Sequence, residues 1–154
     1  MSRPRLSLRP IDADNLNAIL ALAVAPGQTH QVASNAVSLA EARVHPEAWY
    51  RAIYADETAV GFVMLEDSRR LQTPPADAYL AIWRLMIDAC RQRRGYGGWA
   101  VEQLIRYARS HPEIKSLLVS CVPGPLSPEA FYRRFGFIPT GEILDGETVF
   151  RLPL

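Results

Sequence analysis

The segment from Leu80 to Val122 constrains the fold of this chain more than any other. It begins with an apolar run, Leu80 to Ile87, broken only by Arg84. A turn holding Gly95, Gly97 and Gly98 follows, then an amphipathic stretch, then a second apolar run, Leu117 to Val122. A short, nearly continuous apolar run is what a strand buried on both faces requires. In the amphipathic stretch, Val101, Leu104, Ile105 and Ala108 fall at i, i+3, i+4 and i+7, the stripe of a helix with one face in the core. His111-Pro112 closes it. Strand, glycine turn, helix and strand make a crossover unit, whose two strands lie parallel because the connection passes over one face of the sheet.

The flanking sequence adds strands and helices to that unit. Leu6 to Arg9 reads as a first strand, and Asp12 or Asp14 caps a helix with Leu16, Ile19, Leu20 and Ala23 on one face. Pro26-Gly27 breaks it. Ser38 and Glu41 form the S-x-x-E pattern of a capping box, so a second helix is expected from Ser38 to the residues before Pro46. Trp49 to Tyr54 and Ala59 to Leu65 flank Ala55-Asp56-Glu57-Thr58 as a hairpin. Arg69 to Ala78, with Pro74-Pro75, reads as a solvent loop. Ser127 stands at an N-cap, Pro128 at the first helical position, Glu129 in the first turn and Gly136 just past the end of a short helix. Phe137 to Thr140 and Thr148 to Leu152 complete a terminal hairpin through Asp145-Gly146. About six or seven strands with about four helices make a mixed α/β fold. Residues 1–154 suffice for one domain.

Bulk chemistry excludes several partners. A formal net charge of +1 gives no drive toward nucleic acid or an anionic membrane. Basic residues near the N-terminus, the apolar run Ala18 to Ala25 and the ending Ala23-Val24-Ala25 imitate a signal peptide. Asp12, Asp14, Asn15 and Asn17 separate the two parts, and a capped helix explains the residues better. No apolar run approaches bilayer length, so a soluble, cytoplasmic chain is expected. Cys90 and Cys121 are too few for a disulfide framework or a zinc site, and His30, His45 and His111 lack ligand spacing; no metal is expected.

The glycine turn carries the chemistry. Backbone N–H groups at a helix start lack intrahelical partners, and the helix dipole adds partial positive charge there. Glycine lets a phosphate approach that backbone, and Arg91, Arg93 and Arg94 crowd the same turn. A dinucleotide site would need G-x-G-x-x-G and an acidic residue ending the next strand. The turn instead reads Gln92-x-x-Gly95-x-Gly97-Gly98, and Leu117 to Val122 lacks the acid. A nucleotide-triphosphate loop needs Gly-Lys-Ser/Thr, and the only lysine is Lys115. A diphosphate-bearing ligand remains, beside the plainer alternative of a turn that only packs helix on strand.

The segment Leu85-Met86-Ile87-Asp88-Ala89-Cys90-Arg91-Gln92-Arg93-Arg94-Gly95-Tyr96-Gly97-Gly98 resembles the acetyl-CoA motif Q/R-x-x-G-x-G/A of the GNAT-type N-acetyltransferases, with its preceding strand. Phe131-Tyr132-Arg133-Arg134-Phe135-Gly136-Phe137 resembles that family's C-terminal Y-x-x-x-G-F signature, in the right order and spacing. Val32 to Ala42, Gly61 to Met64, Trp83 to Asp88 and Val122 to Gly124 are similar to the bacterial diamine and polyamine acetyltransferase branch.

The resemblance implies an enzyme with acetyl-CoA as cofactor and a small-molecule amine as acceptor, a diamine or polyamine, in a homodimer. It implies that the pantetheine arm lies beside Leu80 to Ile87, held by the main chain of Leu85, Met86 and Ile87. The pyrophosphate would lie on Gln92, Arg93, Arg94, Gly95, Tyr96, Gly97 and Gly98, and Tyr132 would be the proton donor to the leaving thiolate. A phenol, with a pKa near 10, suits that task. Asn35, inside a family-like segment, and Glu66, ending an apolar strand beside Asp67, are candidate acceptor-site residues. The base that deprotonates the amine is not legible. Other acceptors, an amino acid, a drug or a protein N-terminus, stay open, as does a non-catalytic acyl-CoA-binding module.

Overall fold

A computed structural model describes residues 2–154. Seven strands form one sheet in the order β1-β2-β3-β4-β5-β7-β6. They are β1 (Leu6–Arg9), β2 (Ala48–Ala55), β3 (Thr58–Asp67), β4 (Ala78–Ile87), β5 (Ile114–Cys121), β6 (Ile138–Leu144) and β7 (Glu147–Pro153). The helices are α1 (Leu16–Leu20), α2 (Asn35–Val44), α3 (Tyr96–Arg109) and α4 (Glu129–Arg133). All pairings are antiparallel except β4 with β5, the two strands of the expected crossover unit.

Alternation along β3 assigns the two faces. Val63 and Leu65 join Leu80, Ile82, Val101, Leu104, Leu117, Val119 and Phe150 in the core beneath α3, where Tyr132 and Phe137 also pack. Phe62 and Met64 point the other way, to Ile19 of α1 and Leu39 of α2. Fully buried β3 side chains each contribute roughly 1.5–3 kcal/mol relative to exposure. Gly61 is required by a close approach, because a Cβ there would stand 2.5 Å from the Met86 carbonyl oxygen.

A bulge in β4 changes this alternation. Leu65 pairs with Ile82 and Met64 with Arg84, so Trp83 is the extra residue. Before it, Leu80 and Ile82 face α3; after it, Met86 faces α1 and α2. An extra residue shifts the two-residue period by one, so even-numbered side chains change faces. Leu80 to Ile87 is therefore not the strand buried on both faces that its composition suggests: Trp83, Arg84 and Leu85 are only partly covered.

Two helix starts also differ from expectation. The N-cap of α2 is Ser34, whose Oγ accepts from the Val37 N–H at 3.2 Å, and Ser38 sits buried one turn inside. Starting there lets Asn35 donate to the Ile19 carbonyl at 2.9 Å, a tertiary contact the local S-x-x-E pattern does not encode. In the N-terminal segment Asp12 Oδ1 accepts from the Asp14 and Asn15 N–H groups, but α1 ends at Leu20 and leaves Ala23 outside. The short C-terminal helix starts one residue later than expected, with Pro128 rather than Ser127 at its N-cap; Ser127 Oγ still accepts from Glu129 N–H, and Gly136 beyond the end is left-handed at φ 99°.

The end of β3 is locked by charge. Asp67, with 4% of its side chain exposed, accepts from Arg69 Nε at 2.9 Å and Nη2 at 2.6 Å, and Glu113 pairs with the same guanidinium. The hydrogen bonds from Arg69 hold the Asp67 carboxyl below its usual range, against the opposing effect of burial. A depressed folded-state pKa adds stability above the unfolded value near 3.9, and that stability is lost as pH falls through the lower folded value. Asp67→Asn is expected to cost about 1.5–3 kcal/mol at pH 7. The difference from wild type should shrink below pH 4 in urea titrations; a difference independent of pH would contradict this ion-pair assignment.

Candidate active site

β4 and β5 separate where the bulge begins. Their parallel pairing runs from Ala78 with Ile114 to Ile82 with Val119 and no further. Beyond it β4 continues through Ile87, while β5 stays paired with β7 through Cys121. The gap is a cleft of about 530 Å³ lined by Ile82 to Ile87, the glycine turn, Val119 and Ser120, and by Pro128, Phe131, Tyr132 and Arg134. An extended ligand lying there meets the main chain of Leu85, Met86 and Ile87 as an added strand would.

The turn at the end of the cleft is shaped for an anion. Asp88 accepts from the Ala23 N–H at 3.0 Å and the Cys90 N–H at 3.3 Å, which fixes the departure from β4. Arg93 (φ 63°) and Gly95 (φ 84°, the N-cap of α3) are both left-handed. Left-handed residues at such a turn gather successive N–H groups into a concavity, and the α3 dipole reinforces it. Gly97 lines the cleft, and a Cβ there would meet nothing closer than Phe131 at 3.7 Å. Packing alone therefore does not demand glycine at 97, whereas a ligand resting against α3 does.

The structure sorts the sequence candidates. Leu85, Met86, Ile87, Gln92, Arg93, Gly95, Tyr96, Gly97, Gly98 and Tyr132 all line the cleft. Gln92 already uses its side-chain amide, donating to the Ile87 carbonyl at 3.0 Å and to Gln28 Oε1 at 2.7 Å. It staples the turn to β4. The Tyr96 ring is buried with Ile53, Val60 and Ala100, so its contribution to the cleft is main chain. Arg94 is not brought to the cleft: it is exposed, and its nearest polar contact is the Cys90 carbonyl at 3.5 Å. Arg134, just past the end of α4, lines the cleft together with Arg91 and Arg93. Its place in the turn after Tyr132 was the available signal. Asn35 is 97% buried, donates to the Ile19 carbonyl and contacts the Met86 sulfur at 3.7 Å, outside the lining of both cavities.

A second cavity of about 820 Å³ adjoins the cleft. Glu66, Tyr79, Ala81, Leu118, Ser120, Glu142, Asp145, Glu147 and Val149 line it, on the sheet face that α1 and α2 leave uncovered toward β7. Gln31, Val32, Ile82, Trp83, Arg84, Val119 and Ser120 line both spaces, so the two are continuous. Tyr79 donates to Glu66 Oε1 at 3.0 Å; burial, then Glu66, pushes its phenol up to about 12. Arg84, 18% exposed, pairs with Glu41 at 3.3 Å and leaves a buried Nε unpartnered. Glu41 is free for this because Ser34, not Ser38, begins α2.

Comparison with known proteins adds the decisive observation. Residues 16–137, most of the chain, match the family described as acetyltransferase (GNAT) family. The chain belongs to the GNAT acetyltransferase family. Acetyl-CoA is that family's acyl donor, and the open β4 edge, the left-handed turn and the cleft-lining Arg91, Arg93 and Arg134 fit it. Solved structures agree in fold. An acetyltransferase from Thermus thermophilus superposes with TM-score 0.70 at 21% identity, over 100% of both chains. A Bacillus subtilis acetyltransferase in complex with CoA gives 0.67 at 15% identity, over 99% of both. The N-acetylglutamate synthase of Neisseria gonorrhoeae gives 0.70 at 17%, over 99% of this chain and 36% of that one. A search among curated proteins returns no match.

Proposed function

We propose that this acetyltransferase acts on a primary amine of a multiply cationic small molecule, a diamine or polyamine. The observation that carries this is the second cavity, which gathers Glu66, Glu142, Asp145 and Glu147 from β3 and the β6–β7 hairpin against one guanidinium, Arg84. Four carboxylates in one concave space focus a field that attracts and orients a polycation. The cavity opens into the cleft at Ser120 and Trp83, so an amine at its inner end reaches the cofactor's reacting group.

Bound in the cleft, acetyl-CoA supplies an activated thioester. In this proposal Leu85, Met86 and Ile87 align its pantetheine arm through their main chain, with one N–H polarising the carbonyl oxygen. Arg91, Arg93 and Arg134 and the start of α3 hold the pyrophosphate. Tyr132 donates to the departing sulfur. Burial raises its phenol pKa well above the usual value, with the neighbouring Cys121 as a smaller cause, so the hydroxyl stays protonated through the neutral range.

Turnover of acetyl-CoA against an amine panel tests the acceptor class. Spermidine and linear diamines should show a higher kcat/KM than monoamines or amino acids. The double variant Glu66→Gln with Glu142→Gln should raise the diamine KM about tenfold, a loss of roughly 1.4 kcal/mol, with a smaller change for a monoamine. Added salt should narrow that gap. The buried, unpartnered Nε of Arg84 favours a second acceptor type, a carboxylate-bearing amino acid. Preference for such acceptors, with no effect of the double variant, would replace the polyamine assignment.

A further inference from the structure

An ammonium group cannot attack a thioester until it loses a proton, and the acceptor cavity contains several carboxylates that could take it. Position separates them. Glu66, Glu142, Asp145 and Glu147 line the acceptor cavity but not the cofactor cleft. The proton must therefore leave through a group at the junction. Gln31, Trp83, Arg84 and Ser120 supply the polar side chains there. An amide cannot pass a proton on, an indole N–H only donates, and a guanidinium is always charged. Gln31 is also engaged, donating to the Leu126 carbonyl. Ser120 is the junction side chain that can accept one proton while releasing another.

Its surroundings suit that role. Ser120 Oγ donates to Glu147 Oε2 at 3.0 Å, which leaves its lone pairs free to accept from an amine. Leu117, Val119 and Cys121 of β5 point into the core beneath α3, so Ser120 points to the open face with the cavity. Glu147 begins β7 beside the Asp145-Gly146 turn and is only partly covered, so water can take its proton. We propose that Ser120 and Glu147 form the proton relay that deprotonates the acceptor amine, Ser120 as the catalytic residue and Glu147 as the terminal base. This rests on the reading of the acceptor as a cationic amine and names its activating machinery.

The step balances. An ammonium N–H bond breaks as its proton passes to Ser120 Oγ, while the Ser120 O–H proton passes to Glu147 Oε2. Nitrogen keeps the electron pair and uses it to form the bond to the acetyl carbon. The carbon–sulfur bond breaks with its pair on sulfur, and the second nitrogen proton reaches that sulfur, to which Tyr132 donates. The products are one amide, one thiol and one proton released from Glu147 to water.

Other charged and titratable groups surround Glu147. Glu66 of β3, Tyr79 and Arg84 of β4, Glu142 of β6, Asp145 of the β6–β7 turn and His30 of the loop before α2 share the cavity with it. From β5, Cys121 feels its charge: burial first, then Glu129 of α4 and Glu147, push that thiol up to about 11.

The test uses the full chain, acetyl-CoA and a panel of primary amines that includes spermidine and a linear diamine. Ser120→Ala should lower kcat about 100-fold at pH 7, with the KM for both substrates within about twofold, as expected for loss of a base but not of binding. Ser120→Thr, which keeps the hydroxyl, should recover most of the loss. Glu147→Gln should lose kcat similarly and also raise the amine KM. The pH profile separates a relay from structural damage. Wild type should vary little between pH 7.5 and 9.5, whereas Ser120→Ala should climb about tenfold per unit, because only free amine, titrating near 10.4 like a lysine, then reacts. Wild-type kcat in Ser120→Ala, or a loss equal at every pH, overturns the relay and leaves the acceptor reading standing. Absence of turnover with every amine in wild type overturns both.

Discussion

Replacing Tyr132 with phenylalanine is expected to lower kcat about 1,000-fold while leaving CoA affinity within about twofold, within the span of a lost proton donor. The ring is fixed by its neighbours. Phe131 meets it edge-on at 5.0 Å and Phe137 at 5.5 Å, and α4, although only five residues long, is anchored by that packing. Phenylalanine preserves those contacts, so stability should change by less than about 1 kcal/mol. What is lost is a hydroxyl that burial keeps protonated. A phenol above 10 is a weaker acid than a thiol near 8.5, so complete proton transfer to sulfur runs uphill by about 2 kcal/mol or more. In the proposed mechanism the hydroxyl acts chiefly by donating to charge as it develops on sulfur, which places its effect in kcat. Thiol-release kinetics beside calorimetric CoA titration measure both quantities. A kcat within fivefold of wild type would remove Tyr132 from the chemistry.

The second large effect is expected at Gly97. Gly97→Val should weaken CoA binding about 100-fold, roughly 2.7 kcal/mol, the scale of one or two charge-assisted hydrogen bonds. The protein itself has room for the substitution: the first added carbon finds Phe131 at 3.7 Å and Ile87 at 3.8 Å, ordinary contact distances. The branched carbons beyond it enter the cleft at the start of α3, where the proposed binding mode sets the phosphates against backbone N–H groups. Because glycine is a poor helix residue, the variant's melting temperature without ligand should not fall. The expected signature is an unchanged free protein with a lost CoA-induced thermal shift. Wild-type affinity in Gly97→Val would show that the phosphates lie elsewhere.

Much of the fold was legible because its signals are local. The stripe of Val101, Leu104, Ile105 and Ala108 needs only helical periodicity, and the parallel pairing of β4 with β5 follows from a helix between two apolar runs. Asp145-Gly146 makes its hairpin turn with both residues left-handed, as that dipeptide favours. Local rules failed where tertiary contacts outweighed them. Ser38 satisfies a capping pattern, yet Ser34 is the cap, because only that register buries Asn35 against Ile19 and frees Glu41 for Arg84. Leu80 to Ile87 reads as uniformly buried because composition carries no sign of the Trp83 bulge, which turns Arg84 to the open face.

The glycine turn and its arginines were legible in the sequence as a diphosphate-binding turn, since turn chemistry acts over a few residues, while acetyl-CoA and a role for Tyr132 were implied there by the family resemblance. Which guanidiniums reach the cleft was decided by the tertiary structure, which withdraws Arg94 and substitutes Arg134. The second cavity, proposed to take the acceptor, lies wholly on that side of the division. Glu66 and Glu147 stand 81 positions apart in the chain and share a cavity only because the strand order sets β3 and the β6–β7 hairpin on either side of β4 and β5. Long-range strand order places charge in space, and no local pattern encodes it.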